Sequence, residues 1–235
     1  MSETARDTCL LPVPQDGKIT GGMQSVDLPS TPMTTRDGIL LLGPTGAGKS
    51  PLGDHIEARG LWGRSFRHFD FGENLRRVVA QETPGRQFSQ ADLQFLRDVL
   101  ESGALLENEQ FVLAERILRQ FLALGAGEIV LNGLPRHRGQ AEAVSRIVHI
   151  HTVVCLECSD DVVLQRISSN VGGDRTDRAD DQRHEVRNKL ALFARRTQPL
   201  IQYYSAAGCR VVSLPVLSDT TPDGAWRQLQ ACRPD

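Results

Sequence analysis

The sequence predicts an α/β protein with three layers, in which helices cover both faces of a central parallel sheet of about five strands. Two observations predict this fold class. Short apolar runs alternate along the chain with longer segments whose apolar residues recur at the helical period, and this alternation favours parallel strands joined by covering helices. The length of 235 residues also suffices for one domain with a single sizeable core.

Strand and helix patterns follow one another in a regular order. The strand-like runs span residues 39–43, 66–71, 128–133, 151–158 and 210–216. One helical pattern opens directly after the first run, and the others span residues 91–102, 109–125, 138–148, 160–169 and 184–208. Residues 1–36 are rich in turn-forming residues and lack a sustained period, which indicates a flexible N-terminal extension before a folded domain at 37–235.

The composition argues against nucleic acid and membranes as partners. Lysine and arginine number 27 and aspartate and glutamate 29, so the net charge of -2 creates no general attraction for either. No apolar run approaches the roughly 20 residues that span a bilayer. The five scattered cysteines indicate reduced thiols. We therefore expect a cytoplasmic monomer that acts on small molecules.

A glycine-rich loop follows the first predicted strand. It reads GPTGAGKS and matches the phosphate-binding pattern GxxxxGK[ST]. Its backbone N–H groups and the following helix N-terminus attract phosphate oxygens, Lys49 is expected to reach the β and γ phosphates, and Ser50 is expected to bind magnesium. Pro51 fits the first helical turn, where its missing N–H breaks no bond. The nucleotide-binding candidates in the loop are Gly43, Pro44, Thr45, Gly46, Ala47, Gly48, Lys49 and Ser50.

Three later segments carry further motifs. Residues 70–77 read DFGENLRR, residues 103–109 read GALLENE, and residues 132–143 read NGLPRHRGQAEA. In content and order they resemble segments of the nucleoside monophosphate kinase family, of adenylate kinase most of all. The corresponding family stretches are Ser-Thr-Gly-Asp-Leu-Leu-Arg, Gly-x-Leu-Val-Pro-Asp-Glu and Asp-Gly-Phe-Pro-Arg-x-x-x-Gln-Ala.

This resemblance implies an acceptor site. Gly72 and Arg76 match the family's acceptor-nucleotide stretch, Arg136 is placed on the acceptor phosphate together with Arg76, and Gln140 is placed on the acceptor base. Arginine suits these positions because its planar fork matches a phosphate in a bidentate manner. Phe71 departs from the family, which has a threonine that touches the acceptor, and this phenylalanine is expected to pack in the strand or line the acceptor pocket.

The segments nearer the C-terminus resemble the family's lid region. Residues 166–170 match the helix before the lid, which implies that Arg166 stacks on the donor base. Residues 178–190 and 197–208 resemble the lid exit, so Arg178 is expected to close over the transferred group. The catalytic candidates are Lys49, Arg136, Arg178 and Lys189.

The resemblance covers roughly residues 38–230 and implies a P-loop kinase fold. It adds to the sheet a helical acceptor-binding segment at about 71–105 and a short lid at about 168–180. The implied cofactor is magnesium with ATP, because phosphoryl transfer depends on positioning and on neutralising the phosphate charge.

Several positions depart from the family pattern. Asn132 replaces an acid that orders magnesium-bound water, Asn170 replaces an arginine, and Lys189 replaces the last arginine at the base of the lid. Arg175 is a candidate to replace the arginine missing at position 170. Asp70 ends the second strand, where ligands of open parallel sheets gather, so either Asp70 or Asn132 is a candidate to bind magnesium through water and Asp70 is also an acceptor-site candidate.

The leading interpretation is an ATP-dependent kinase that moves the γ-phosphate of Mg-ATP to a nucleoside monophosphate, with an AMP-like acceptor. Two alternatives stay open. Asp70 suggests a kinase for a small hydroxylated metabolite, because a hydroxyl acceptor benefits from a base. The departures at Asn132, Asn170 and Lys189 suggest a nucleotide-binding regulatory module with weakened transfer.

Overall fold

A five-stranded parallel sheet forms the centre of the protein. The computed structural model describes residues 35–80, 88–173 and 183–234. The strands are β1 Arg36–Leu42, β2 Phe66–Asp70, β3 Glu128–Asn132, β4 Val148–Glu157 and β5 Arg210–Pro215. Their order across the sheet is β2-β3-β1-β4-β5, and every neighbouring pair is parallel. The sheet confirms the predicted fold class.

Helices cover both faces of this sheet. They are α1 Lys49–Arg59, α2 Phe71–Val79, α3 Gln90–Ser102, α4 Phe111–Ala123, α5 Arg138–Val144, α6 Asp160–Ser169, α7 Arg183–Leu192, α8 Leu200–Ala206 and α9 Pro222–Ala231. A 3₁₀ turn at Asn108–Gln110 precedes α4, and a π-helical turn at Phe193–Thr197 follows α7. Among the helices of the described ranges, none combines the length and the hydropathy that a membrane span requires.

Strand β1 supplies side chains to two separate cores. Leu40 and Leu42 join an apolar cluster built mainly with α2, α3, α4, α5 and α8. Ile39 and Leu41 join a second cluster with α1 and α9. All four side chains are at most 2% exposed. Successive residues of a strand point to opposite faces, so this short apolar run fixes both helical layers around the loop that follows it.

Several predicted boundaries differ from the observed ones, and two of the differences have a clear physical reason. The strand predicted at 66–71 ends one residue early, because the Asp70 carboxylate accepts a hydrogen bond from the Glu73 N–H at 3.0 Å and caps α2, so Phe71 begins that helix. The helix predicted at 138–148 ends at Val144. Val148 instead pairs with β1 as the first residue of β4, which extends that strand beyond its predicted start.

The long helix predicted at 184–208 is divided into three parts. The Gln198 N–H donates to the Phe193 carbonyl five residues earlier, at 2.9 Å, in the π-helical turn. Pro199 follows and has no N–H to donate, so α8 starts anew. The prediction also missed α9, although Thr221 caps its N-terminus and Pro222 occupies its first position, a combination typical of helix starts.

Candidate active site

The carboxyl ends of β1, β2 and β3 border one cavity of about 240 Å³. The cavity is also bordered by α2, the segment after α3, the loop after β3 and part of α7. It is lined by all of the predicted acceptor-site residues, which are Asp70, Phe71, Gly72, Arg76, Arg136 and Gln140. Six residues of the glycine-rich loop line it as well, whereas Pro44 and Ala47 are buried beside it.

The glycine-rich loop needs glycine for steric reasons. Gly46 and Gly48 have φ angles of 76° and 94°, a left-handed conformation that other residues avoid. A Cβ atom on Gly46 would lie 2.9 Å from the Ile167 side chain, and one on Gly48 would lie 3.0 Å from the Arg166 guanidinium. The loop therefore passes close to α6 immediately before α1 begins.

Lys49 extends back over the loop. Its ammonium group donates hydrogen bonds to the carbonyl oxygens of Gly43, at 2.8 Å, and Pro44, at 2.7 Å. These bonds hold a positive charge above the loop and at the wall of the cavity. An anion entering the cavity would meet this charge together with the N-terminus of α1.

Ser50, Asp70 and Asn132 form a hydrogen-bonded triangle at the inner end of the cavity. The Ser50 hydroxyl donates to Asp70 Oδ2 at 2.5 Å. The Asn132 Nδ2 group donates to Asp70 Oδ2 at 2.8 Å and to Ser50 Oγ at 3.0 Å. Asp70 and Asn132 are direct neighbours in the register of β2 and β3. The sequence placed Asp70 at a strand end but carried no indication of this contact with Asn132.

Asp70 is ionised in this setting. Burial raises the pKa of its carboxyl, but the hydrogen bonds from Ser50 and from the Glu73 N–H, together with electrostatic attraction from the nearby His68 and Arg76 side chains, outweigh burial and lower the pKa below its usual value. The cavity therefore holds a carboxylate rather than a carboxylic acid at neutral pH.

Arg76 and Arg136 bring positive charge to the same cavity. Arg136 is exposed to the cavity but surrounded by protein, and this enclosure lowers the pKa of its guanidinium while the charge of Asp70 raises it. Arginine nevertheless stays protonated at neutral pH. The Arg136 carbonyl accepts a bond from the Thr197 hydroxyl at 2.8 Å, and its N–H donates to Gln140 Oε1 at 2.8 Å.

Gln140 is almost completely buried, with 2% exposed, and joins two segments of the acceptor side. Its Nε2 group donates to the Leu106 carbonyl at 2.8 Å. The same carbonyl accepts a bond from His137 Nε2 at 3.0 Å. His137 could not be identified from the sequence, because a single histidine beside a motif carries no distinguishing pattern.

The observed environment of Arg166 differs from the predicted one more than that of any other candidate residue in the described part of the chain. It is 4% exposed and does not line the cavity. Its guanidinium donates to the carbonyl oxygens of Gly46, at 3.1 Å, and of Leu217 and Thr220, both at 2.8 Å. Arg166 thus supports the loop from outside the cavity. Its stacking on a donor base stays a prediction.

The lid is only partly described. Lys189 lies in α7 and lines the cavity. Asn170 follows the last residue of α6 and caps it in a left-handed conformation with φ of 47°, which asparagine tolerates better than arginine. The predicted lid residues Arg175 and Arg178 lie outside the described residues.

Comparison with known proteins gives consistent matches. The family model described as adenylate kinase matches residues 41–209. An adenylate kinase of Synechococcus sp. (strain WH7803) is 34% identical over 177 residues, which cover 72% of this chain and 85% of the relative. An adenylate kinase of Thermus thermophilus is 29% identical over 207 residues, covering 85% and 98%. One of Prochlorococcus marinus (strain MIT 9303) is 32% identical over 175 residues, covering 72% and 85%.

Proposed function

This chain belongs to the adenylate kinase family, and from that premise we propose that it moves the γ-phosphate of ATP to a nucleoside monophosphate, with an AMP-like acceptor. One observation carries the proposal. The glycine-rich loop, with Lys49, and the two arginines Arg76 and Arg136 border the same cavity although they come from separate parts of the chain. A donor phosphate and an acceptor phosphate would therefore meet there.

The donor phosphates would bind at the loop. Its backbone N–H groups and the N-terminus of α1 favour anions, and Lys49 adds a full positive charge at the cavity wall. Lys49 bonds to the carbonyls of Gly43 and Pro44, so it can exchange these neutral partners for phosphate oxygens with a gain in charge pairing. Arg166 would support the loop in this state.

Magnesium fits the donor set at the triangle. Ser50 and Asp70 supply oxygen atoms, which this hard cation prefers, and magnesium commonly binds through one or two protein oxygens plus substrate phosphates. No cluster of three or more histidine, cysteine or acidic residues within the described residues could hold a metal without the nucleotide. When bound with ATP, magnesium would neutralise charge on the transferred group.

The acceptor phosphate would bind to Arg76 and Arg136. Both guanidinium groups offer two parallel N–H donors to a phosphate. Lys189 would add charge from α7, and Arg178 would close from the lid. Their shared effect would be to orient the two phosphates and to stabilise negative charge as it spreads over the transferred group.

Asp70 is poorly suited to the alternative role of a base for a hydroxyl acceptor. Its lowered pKa makes it a weak base at neutral pH, whereas efficient general bases have a pKa near the working pH. An acceptor phosphate is already ionised and needs no base. The lowered pKa of Asp70 therefore argues against a hydroxyl acceptor.

A coupled assay over nucleoside monophosphates tests the function. We expect ADP to form rapidly from ATP and AMP in the presence of magnesium. The Arg136→Met protein should lose at least about a hundredfold in kcat/KM, or about 2.7 kcal/mol of transition-state stabilisation. Absence of turnover with every monophosphate, in a protein that still binds ATP, would contradict the proposal. The cytoplasmic location and the monomeric state stay predictions.

A further inference from the structure

We infer that Asp70, rather than Asn132, faces the ion of the metal–nucleotide complex, and that Asn132 is a positioning residue that holds Asp70 and Ser50 in place. This inference rests on the proposed function, because it assigns the metal side of the same site. The sequence left both residues open as candidates. The hydrogen-bonding pattern of the triangle distinguishes them.

The first step concerns the orientation of Asn132. The Asn132 amide turns its NH₂ group toward Asp70, with Nδ2 donating to Oδ2 at 2.8 Å, and the same carboxylate oxygen accepts the hydrogen of the Ser50 hydroxyl at 2.5 Å. The same nitrogen lies 3.0 Å from Ser50 Oγ. The amide therefore presents its nitrogen, and not its oxygen, to Asp70 and Ser50, and a donor nitrogen cannot ligate a cation beside them.

The second step concerns the lone pairs of Ser50. A hydroxyl has one donor hydrogen and two acceptor lone pairs. The hydrogen is used by Asp70, and one lone pair accepts from Asn132. One lone pair remains, so the hydroxyl has a single direction in which it can bind a cation. Asp70 and Asn132 together fix that direction.

The third step concerns charge. Asp70 and Asn132 are neighbours in register on β2 and β3, they are 8% and 3% exposed, and their side chains are nearly equal in size. Either position could thus hold a carboxylate beside Ser50. In this chain the acid is on β2 and the amide on β3, whereas the family resemblance implies an acid at position 132 on β3. The negative charge is retained at the triangle, but it comes from the neighbouring strand.

An exchange of the two side chains tests the inference. The ATP dissociation constant is measured by calorimetry with and without magnesium and without acceptor, and the ratio of the two values is the metal coupling. Asp70→Asn should lower this coupling at least about tenfold, the usual effect of removing an outer-sphere partner, while ATP binding without metal changes little. The double variant Asp70→Asn/Asn132→Asp should recover the coupling to within about threefold of wild type. Asp98→Asn, an exposed substitution on α3, is the matched control and should change nothing.

Unchanged coupling in Asp70→Asn would overturn the inference, and no recovery in a folded double variant would overturn its third step, that either position can carry the charge. If Asp70→Asn does not fold, Asp70→Ser replaces it with the same expected outcomes. Because no acceptor is present, the measurement is independent of catalysis. A protein that couples ATP to magnesium through Asp70 but transfers nothing would contradict the proposed function and leave this inference intact.

Discussion

Gly48 and Gly63 have similar left-handed backbones, with φ of 94° and 80°, but only Gly48 is crowded. A Cβ atom there would lie 3.0 Å from the Arg166 guanidinium, whereas one on Gly63 would contact nothing within 4 Å. We expect Gly48→Ala and Gly63→Ala each to cost about 1–2 kcal/mol of unfolding free energy through backbone strain. Only Gly48→Ala should also weaken ATP binding, by about tenfold or more, because it displaces the residue that supports the loop.

Chemical denaturation and calorimetry with ATP measure these two effects separately. Equal loss of ATP affinity in both glycine variants would show that the crowding at Arg166 has no part in binding. Unchanged affinity in Gly48→Ala would show that the loop does not need its glycine at the start of α1.

At the scale of elements, the π-helical turn at Phe193–Thr197 connects the lid side to the acceptor side. Thr197 is buried, and its hydroxyl donates to the Arg136 carbonyl at 2.8 Å. Thr197→Val keeps the shape of the side chain but leaves that carbonyl without this donor, at a cost of about 1–2 kcal/mol. Because Arg136 borders the acceptor side, the KM for AMP should rise several-fold while ATP affinity stays the same.

Thr152→Val is the matched control for this prediction. Thr152 is also buried, but it lies on β4 and does not line the cavity. Steady-state kinetics should show an unchanged KM for AMP in this variant even if its stability falls. A similar rise in the KM for AMP in both variants would mean that the effect comes from a general loss of stability and not from the loss of the hydrogen bond to Arg136.

The types of most elements could be predicted from the sequence, but several boundaries could not. Periodicity reveals which residues share a buried face, and this was enough for all five strands. Boundaries depend on contacts with other residues. Val148 belongs to the sheet because it pairs with β1, and Phe71 begins a helix because Asp70 caps that helix. The break at Pro199 was readable in the sequence, whereas the π-helical turn before it has no comparable pattern.

At the scale of the whole molecule, ligand binding should raise thermal stability, since a ligand that binds only the folded state stabilises it by mass action. A non-hydrolysable ATP analogue with magnesium, at about 100 times its dissociation constant, adds about 2.7 kcal/mol, which corresponds to an increase in Tm of about 5–10 °C for a domain of this size. AMP added with the analogue should raise Tm further.

Thermal unfolding monitored by fluorescence or calorimetry provides the measurement. The Gly48→Ala protein should show a smaller increase in Tm with the analogue at the same concentration. If AMP changed Tm neither alone nor with the analogue, the acceptor assignment would be wrong.

The residues that line the candidate site could be predicted from the sequence, but most of the contacts between them could not. The order of motifs identified Arg76, Arg136 and Gln140, and the fold brings all three to one cavity. Motifs could not reveal that Gln140 bonds to the Leu106 carbonyl or that His137 shares this acceptor. Such bonds depend on the three-dimensional approach of distant segments, for which a single sequence contains no periodic or spacing pattern.

The anchoring of Gly46 by Arg166 has a consequence for protein engineering. The same guanidinium is held by the backbone at Leu217 and Thr220, which lie beyond the last residue matched by the family model. A shortened version ending near residue 209 would therefore keep every recognisable motif and yet release the arginine that braces the nucleotide loop. The minimal working enzyme must include the turn before α9, although no catalytic candidate lies there.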